Sequence, residues 1–182
     1  MEVQSLTRKG AGTISRMESI RLISSSPDQT QFLGSHIGEL AQPADVILLT
    51  GELGTGKTCL VQGIARGLGV KEYAFSPSFV ILREYHGRLP LYHIDFYRLD
   101  DVREIADLGF EQYFYGDGVC VIEWADRGFG VLPPNNLLIN LQYIPTVQTA
   151  RSLSLMPRGP RYADLVEQLG RREGIVTLST KC

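Results

Sequence analysis

Lys57, Thr58, Asp95 and Glu123 are the side chains best placed in this sequence to do chemistry. The residues around the first two say which chemistry. Gly51-Glu-Leu-Gly-Thr-Gly-Lys57-Thr58 fits G-x-x-x-x-G-K-[ST], a loop that wraps nucleotide phosphates. Glycines at 51, 54 and 56 permit backbone angles that a Cβ would forbid, so successive N–H groups can turn inward as an anion-binding nest. Lys57 is expected to reach the β- and γ-phosphates, and the Thr58 hydroxyl to ligate Mg²⁺. Glu52, Leu53, Thr55 and Cys59 complete the stretch expected to line the nucleotide. With glycine at roughly 7% of residues in proteins generally, a chance match in a chain this long is on the order of one in a hundred or rarer.

Such a loop needs an acid for the metal and a group to place the nucleophile. Val119-Cys-Val-Ile-Glu123 supplies an acid: four apolar residues and then a carboxylate at a strand's end. Glu123 is therefore expected to hold Mg²⁺ with Thr58, directly or through water. The second acid is Asp95, in Tyr92-His-Ile-Asp-Phe-Tyr-Arg98. Strand alternation puts His93 and Asp95 on one face and Tyr92, Ile94 and Phe96 on the other. Asp95 could orient or deprotonate water, or share the metal. His93 reads equally as a hydrogen-bond partner of the site or as a structural histidine. Arg98 could neutralise phosphate charge or pair with Asp100 or Asp101. In Ser76-Pro77-Ser78 either hydroxyl could sense a γ-phosphate, or the segment is an ordinary turn. Trp124 follows Glu123 and is expected on the opposite face, as core or as a stacking surface. Cys59, in the first turn of a helix, could have a lowered thiol pKa or be a small packed side chain.

The elements around these residues must position them. Asp45–Thr50 reads as a buried strand, and 57–68 as a helix by apolar spacing. Glu18–Ser24 alternates like a strand, and Ser26-Pro27-Asp28 signals a helix start. Phe79–Tyr85 and Leu89–Phe96 are predicted strands joined as a hairpin. Residues 101–115 read as short helices around Gly109, 118–124 as a buried strand, 137–143 and 149–156 as a late antiparallel pair, and 162–169 as a terminal helix. The fold class is α/β with a mixed sheet, parallel at its centre. One domain spans 18–170, with an extension at 1–17 expected to be disordered and a loose tail at 171–182. Arg8, Lys9 and Arg16 give the extension a weak transit-peptide character, and Met17 is an alternative start.

Net charge is −2, so no global basic field exists to hold nucleic acid. A local patch of Arg158, Arg161, Arg171 and Arg172 is the candidate for direct contact, or simply a solvated helix. Cysteines 59, 120 and 182 make no C-x-x-C pair, which argues against a zinc site and fits a reducing compartment. No apolar run approaches the roughly 18 residues of a membrane span. No N-K-x-D motif for guanine and no arginine-dense kinase lid occur.

The blocks Gly51–Thr58, Ser76-Pro-Ser78, Tyr92-His-x-Asp-x-Tyr-Arg98 and Ile122-Glu-Trp124 together resemble one family closely, in order and spacing, from about residue 19 to about 157. It is the bacterial tRNA threonylcarbamoyladenosine biosynthesis ATPase, the TsaE (YjeE) family. Ser78 stands where that family usually has threonine. The resemblance implies a P-loop NTPase fold, binding of ATP with Mg²⁺, and hydrolysis that is slow in isolation. It implies a cytoplasmic protein that docks on a TsaB–TsaD transferase pair and reaches tRNA through it. It also makes Arg151 and Thr30 candidates for nucleotide contact. The chain offers no obvious arginine finger, and one supplied by a partner adds roughly 10³–10⁵ in rate to P-loop enzymes. Two other readings compete: a small-molecule kinase with Asp95 as base, and a non-hydrolytic nucleotide switch.

Overall fold

The computed structural model describes residues 19–172. Its strands are β1 (Ile20–Ser24), β2 (Val46–Thr50), β3 (Leu82–Tyr85), β4 (Leu91–Asp95), β5 (Val119–Glu123), β6 (Asn136–Ile144) and β7 (Val147–Arg158). Its helices are α1 (Pro27–Leu40), α2 (Lys57–Gly67), α3 (Val102–Asp107), α4 (Glu111–Phe114) and α5 (Pro160–Gly170). The strands form one seven-stranded sheet in the order β1-β7-β6-β2-β5-β4-β3. β2 pairs in parallel with both β5 and β6, and β4 with β5. β1, β7 and β3 attach antiparallel at the two sides. This is the mixed sheet with a parallel centre that the sequence predicts.

β2 is buried along its whole length because both faces of the sheet are covered. On one face α1, α2 and α5 bury Leu33, Ile37, Leu60, Ile64 and Leu165 against Ile47, Leu49, Val121 and Ile139. On the other, α3, α4 and the 3₁₀ turn Ala125–Gly128 bury Ile105, Phe110 and Phe114 against Leu48, Ile94, Cys120 and Ile122. Alternating residues of each strand thus serve two separate cores.

The helix that carries Lys57 is set by close packing on α1. The two meet through Gly34 and Gly38 on one side and Gly63 and Gly67 on the other. A Cβ on Gly34 would run into the Leu60 carbonyl, and one on Gly67 into the Ser35 carbonyl. Glycine there lets the two backbones touch. Helix α1 begins where Ser26 accepts from the Gln29 N–H at 3.3 Å, with Pro27 in the first turn.

One feature departs from the sequence prediction, and two more bear on choices it left open. Residues 79–81 are not strand: Val80 and Ile81 both donate to the Pro77 carbonyl, at 2.8 and 2.7 Å, so the chain turns there. Ile81 takes φ 67, a left-handed conformation that a β-branched residue rarely adopts. β3 accordingly starts at Leu82. Arg98 pairs with neither Asp100 nor Asp101. Asp100 binds Arg127 at 2.7 Å and Asp101 binds Arg103, while the Arg98 guanidinium lies 4.1 Å over the Phe79 ring. The four C-terminal arginines do not form one free patch. Arg161 is locked on buried Asp45 at 2.6 Å, Arg171 on Glu167, and Arg172 on Glu39 at 2.9 Å. The expectations for residues 1–17 and for Cys182 fall outside the described residues.

Candidate functional site

The site lies where β2 ends and α2 begins, at the carboxyl ends of the parallel strands, the region where open α/β sheets bind ligands. Gly51, Gly54 and Gly56 all have positive φ, at 135, 78 and 100°. At Gly51 a Cβ would also strike the Leu141 carbonyl of β6. The loop is held from outside as well. The Tyr143 hydroxyl donates to the Leu53 carbonyl at 2.8 Å, and Arg151 Nε donates to the Thr55 carbonyl at 3.2 Å. Inside it, the Thr55 hydroxyl donates to the Glu52 carbonyl at 2.8 Å.

Lys57 is almost fully buried. Its Nζ donates to the carbonyls of Gly51 at 2.7 Å and Glu52 at 2.9 Å, and sits 3.8 Å from the centre of the Trp124 ring. Desolvation lowers its pKa below the ordinary lysine value, against the opposing pull of Glu123, Asp95 and Asp126. Trp124 packs partly against the second core, as alternation predicts, but its role does not end there. Its backbone is left-handed, φ 56 and ψ 39, which closes β5 and lays the indole over the lysine.

The parallel register of β4 and β5 sets Asp95 beside Glu123. The Thr58 hydroxyl faces the Glu123 carboxylate at 2.8 Å from Oε1 and 3.1 Å from Oε2. Buried His93 places Nε2 2.9 Å from Oε1 of the same carboxylate. Asp95 is held differently. Its Oδ2 accepts from the hydroxyls of Ser76 at 2.7 Å and Ser78 at 2.5 Å, and its Oδ1 from the Tyr97 N–H at 2.9 Å. The two serine hydroxyls therefore face a carboxylate rather than open loop. The β3–β4 hairpin and the turn at Pro77 bring the serines and Asp95 together, and residues 79–81 of that turn read as strand, so the sequence singles out both groups without linking them.

Among the remaining candidates, Thr30 is buried and hydrogen-bonded to Ser24 at 2.7 Å. It serves the start of α1. The Cys59 thiol has its pKa raised by burial, not lowered by its place in the helix. Cys120 is buried in the second core, and burial raises its pKa as well. Tyr143, which braces the loop and stacks 4.4 Å under the Arg151 guanidinium, carries no motif in the sequence. A tyrosine near the end of a late strand is the only hint it gives.

A phosphate group fits this loop by its geometry: glycine angles, a buried ammonium, and a helix N-terminus. Among the described residues no cluster of three or more His, Cys, Asp or Glu could by itself hold a metal ion. Thr58 and Glu123 nevertheless suit Mg²⁺, which takes one or two protein oxygens and completes its shell from phosphates and water. No helix among the described residues is long and apolar enough to cross a membrane.

Comparison with known proteins identifies the family. The family model for the threonylcarbamoyl adenosine biosynthesis protein TsaE matches residues 24–152. The tRNA threonylcarbamoyladenosine biosynthesis protein TsaE of Bacillus subtilis (strain 168) is 38% identical over 160 residues, covering 87% of this chain and 99% of the relative. That of Treponema pallidum (strain Nichols) is 43% identical over 125 residues, covering 69% of this chain and 93% of the relative. The crystal structure of Bacillus subtilis YdiB superposes with a TM-score of 0.75 at 35% identity, covering 85% of this chain and 95% of that one. The matched span contains the glycine loop, the Ser-Pro-Ser segment, Asp95 and Glu123, and with them the chain belongs to the TsaE family of tRNA threonylcarbamoyladenosine biosynthesis proteins.

Proposed function

We propose that this chain binds ATP with Mg²⁺ and hydrolyses it as the ATPase subunit of tRNA threonylcarbamoyladenosine formation. It acts in the cytoplasm on a TsaB–TsaD transferase complex and reaches tRNA through that complex. The observation that carries the reading is the meeting of Lys57, Thr58 and Glu123 at the mouth of the glycine loop, with the Thr58 hydroxyl 2.8 Å from the carboxylate. The loop N–H groups receive the phosphates. Lys57 exchanges the Gly51 and Glu52 carbonyls for phosphate oxygens, a move favoured because its charge is poorly solvated where it rests. Thr58 and Glu123 hold the ion, which supplies positive charge at the phosphates when bound. Asp95 orients the attacking water, and does so once Ser76 or Ser78 releases its Oδ2.

Slow turnover in isolation is part of the proposal, and two arginines support it, while Arg98 rests only against the Phe79 ring. Arg127 is engaged by the Leu99 carbonyl and Asp100, and Arg151 by the Thr55, Gln148 and Ala150 carbonyls. Neither is free to stabilise charge developing on a transferring phosphoryl group, a job a partner's arginine can do. The test is phosphate release from Mg·ATP with and without a purified TsaB–TsaD pair from the same source. Stimulation of ten-fold or more is expected. Bound ATP without stimulation by the pair would overturn the partnership and leave the nucleotide site standing.

A further inference from the structure

We infer that His93 is a positioning residue for Glu123: it fixes the carboxylate so that Oε2 is the oxygen presented to the metal ion. The inference rests on the reading that Glu123 holds Mg²⁺ with Thr58. His93 lies on β4 two residues before Asp95, at the register position of Val121 on β5, and is wholly buried. Its Nε2 is 2.9 Å from Glu123 Oε1. An ionised carboxylate only accepts, so Nε2 carries the proton and donates it. Thr58 also leans towards Oε1, at 2.8 Å against 3.1 Å for Oε2. Oε1 is thus held from two sides, and Oε2 keeps only the longer contact.

The imidazole has no other purpose in the fold that its contacts reveal. Nδ1 is buried without a hydrogen-bond partner among the described residues. A polar ring left half-satisfied costs more than an apolar side chain of similar size at the same place. The neighbours on the same face, Leu91 of β4 and Val119 and Val121 of β5, are apolar and fully buried. The one partner that accounts for a histidine here is the Glu123 carboxylate. Groups that orient a metal-binding carboxylate from behind typically change metal affinity 10- to 100-fold when removed.

The experiment compares wild type with His93→Leu, which fills the space without a donor, and His93→Gln, whose amide N–H reaches about as far as Nε2. Each chain is checked for cooperative thermal unfolding. Binding of the non-hydrolysable analogue AMP-PNP is then measured calorimetrically in EDTA and across a Mg²⁺ series. In EDTA all three are expected to bind within about two-fold of one another. The Mg²⁺ midpoint is expected to rise roughly ten-fold or more in His93→Leu and to stay within about three-fold of wild type in His93→Gln. A folded His93→Leu chain with an unchanged midpoint overturns the inference. So does an affinity loss equal in EDTA and in Mg²⁺, which marks a purely structural histidine. Should His93→Leu not fold, His93→Asn takes its place. Its amide falls short of Glu123, and the same rise in midpoint is expected. A wild-type chain whose AMP-PNP affinity ignored Mg²⁺ would instead overturn the metal assignment, and the inference with it.

Discussion

Lys57 is held by carbonyls of its own loop, whereas Asp95 is held by hydroxyls that belong to another segment of the chain. The two sides of the site are built on different principles. On the loop side, Gly51 to Thr58 are contiguous, their backbone is fixed by left-handed glycines, and α2 is clamped on α1 through glycine contacts. On the Asp95 side, residues 76–78 reach the carboxylate only through side chains. That segment ends at Ile81, whose left-handed backbone is unfavourable for a β-branched residue. Its flanks expose Phe75, Phe79 and Val80 to solvent. The contrast assigns different jobs. On the proposed function, the loop side meets phosphate with its backbone already shaped, and Lys57 alone changes partners. The Asp95 side, whose carboxylate is held by side-chain hydroxyls of an exposed turn, is expected to be the one that rearranges when a nucleotide or a partner arrives.

The largest effect should come from the preformed side. Lys57→Ala removes the one ammonium inside the loop, and nucleotide affinity is expected to fall at least about 100-fold, or about 2.7 kcal/mol, by calorimetry. The same residue gives a second, opposite readout. Folding lowers the Lys57 pKa, so the unfolded chain binds more protons between the folded value and 10.5, and stability rises with pH across that window. Below the window the buried charge works against folding. Lys57→Met is therefore expected to unfold at a higher temperature than wild type near neutral pH while failing to bind nucleotide. A lower melting temperature would mean that the two carbonyl bonds and the Trp124 contact outweigh desolvation.

Next comes the rearranging side. Asp95→Ala should leave ATP affinity within about three-fold of wild type and reduce turnover by about 100-fold or more, within the range for lost water-positioning groups. It also frees the two serine hydroxyls. Amide exchange over residues 76–81 is expected to quicken, with little change in α2. If exchange quickened equally in α2, the two sides would be one cooperative unit and the contrast would fail.

How much of this the sequence discloses follows from the same contrast. The loop is legible because everything it needs lies in eight neighbouring residues with a strand before them and a helix after. Glu123 is legible as the acid that ends an apolar strand. The tie between Ser76, Ser78 and Asp95 is not, because it depends on a turn at Pro77 that carries residues 76–78 back to the end of the β3–β4 hairpin. Phe79-Val80-Ile81 even points the wrong way. Three apolar residues with β-branching read as strand, yet two N–H groups converge on one carbonyl and turn the chain. Trp124 is a similar case: alternation gives its face, but nothing local announces the left-handed backbone that lays it over Lys57. The α1–α2 contact lies in between. Glycines four apart in two predicted helices, Gly34 and Gly38, Gly63 and Gly67, are a readable sign of close packing once both helices are recognised.

That contact permits a test of the rigid side away from the nucleotide. Gly63→Ala would drive a Cβ into the Gln31 backbone and push α2 off α1. Overpacking of this kind costs about 1–3 kcal/mol, seen as a lower melting temperature. Because Lys57 and Thr58 form the first turn of the displaced helix, nucleotide affinity should fall with stability. Affinity that held while stability dropped would show that the loop is fixed by Tyr143 and Arg151 rather than by the helix behind it.

The smallest effect discriminates most finely. Ser78→Ala removes the shorter of the two hydroxyl contacts to Asp95 and leaves the Ser76 bond at 2.7 Å in place. If the serines only stiffen a turn, turnover should drop or stay the same. If they hold Asp95 in a resting position that must be released, loss of one hydroxyl lowers the cost of release. Basal turnover is then expected to rise by roughly two- to five-fold, about 0.4–1 kcal/mol, with ATP affinity unchanged. Ser78→Thr keeps the hydroxyl and adds a methyl, so it should behave like wild type. The sign of the Ser78→Ala change separates the two accounts, since a structural hydroxyl has no means of making the enzyme faster when it is removed.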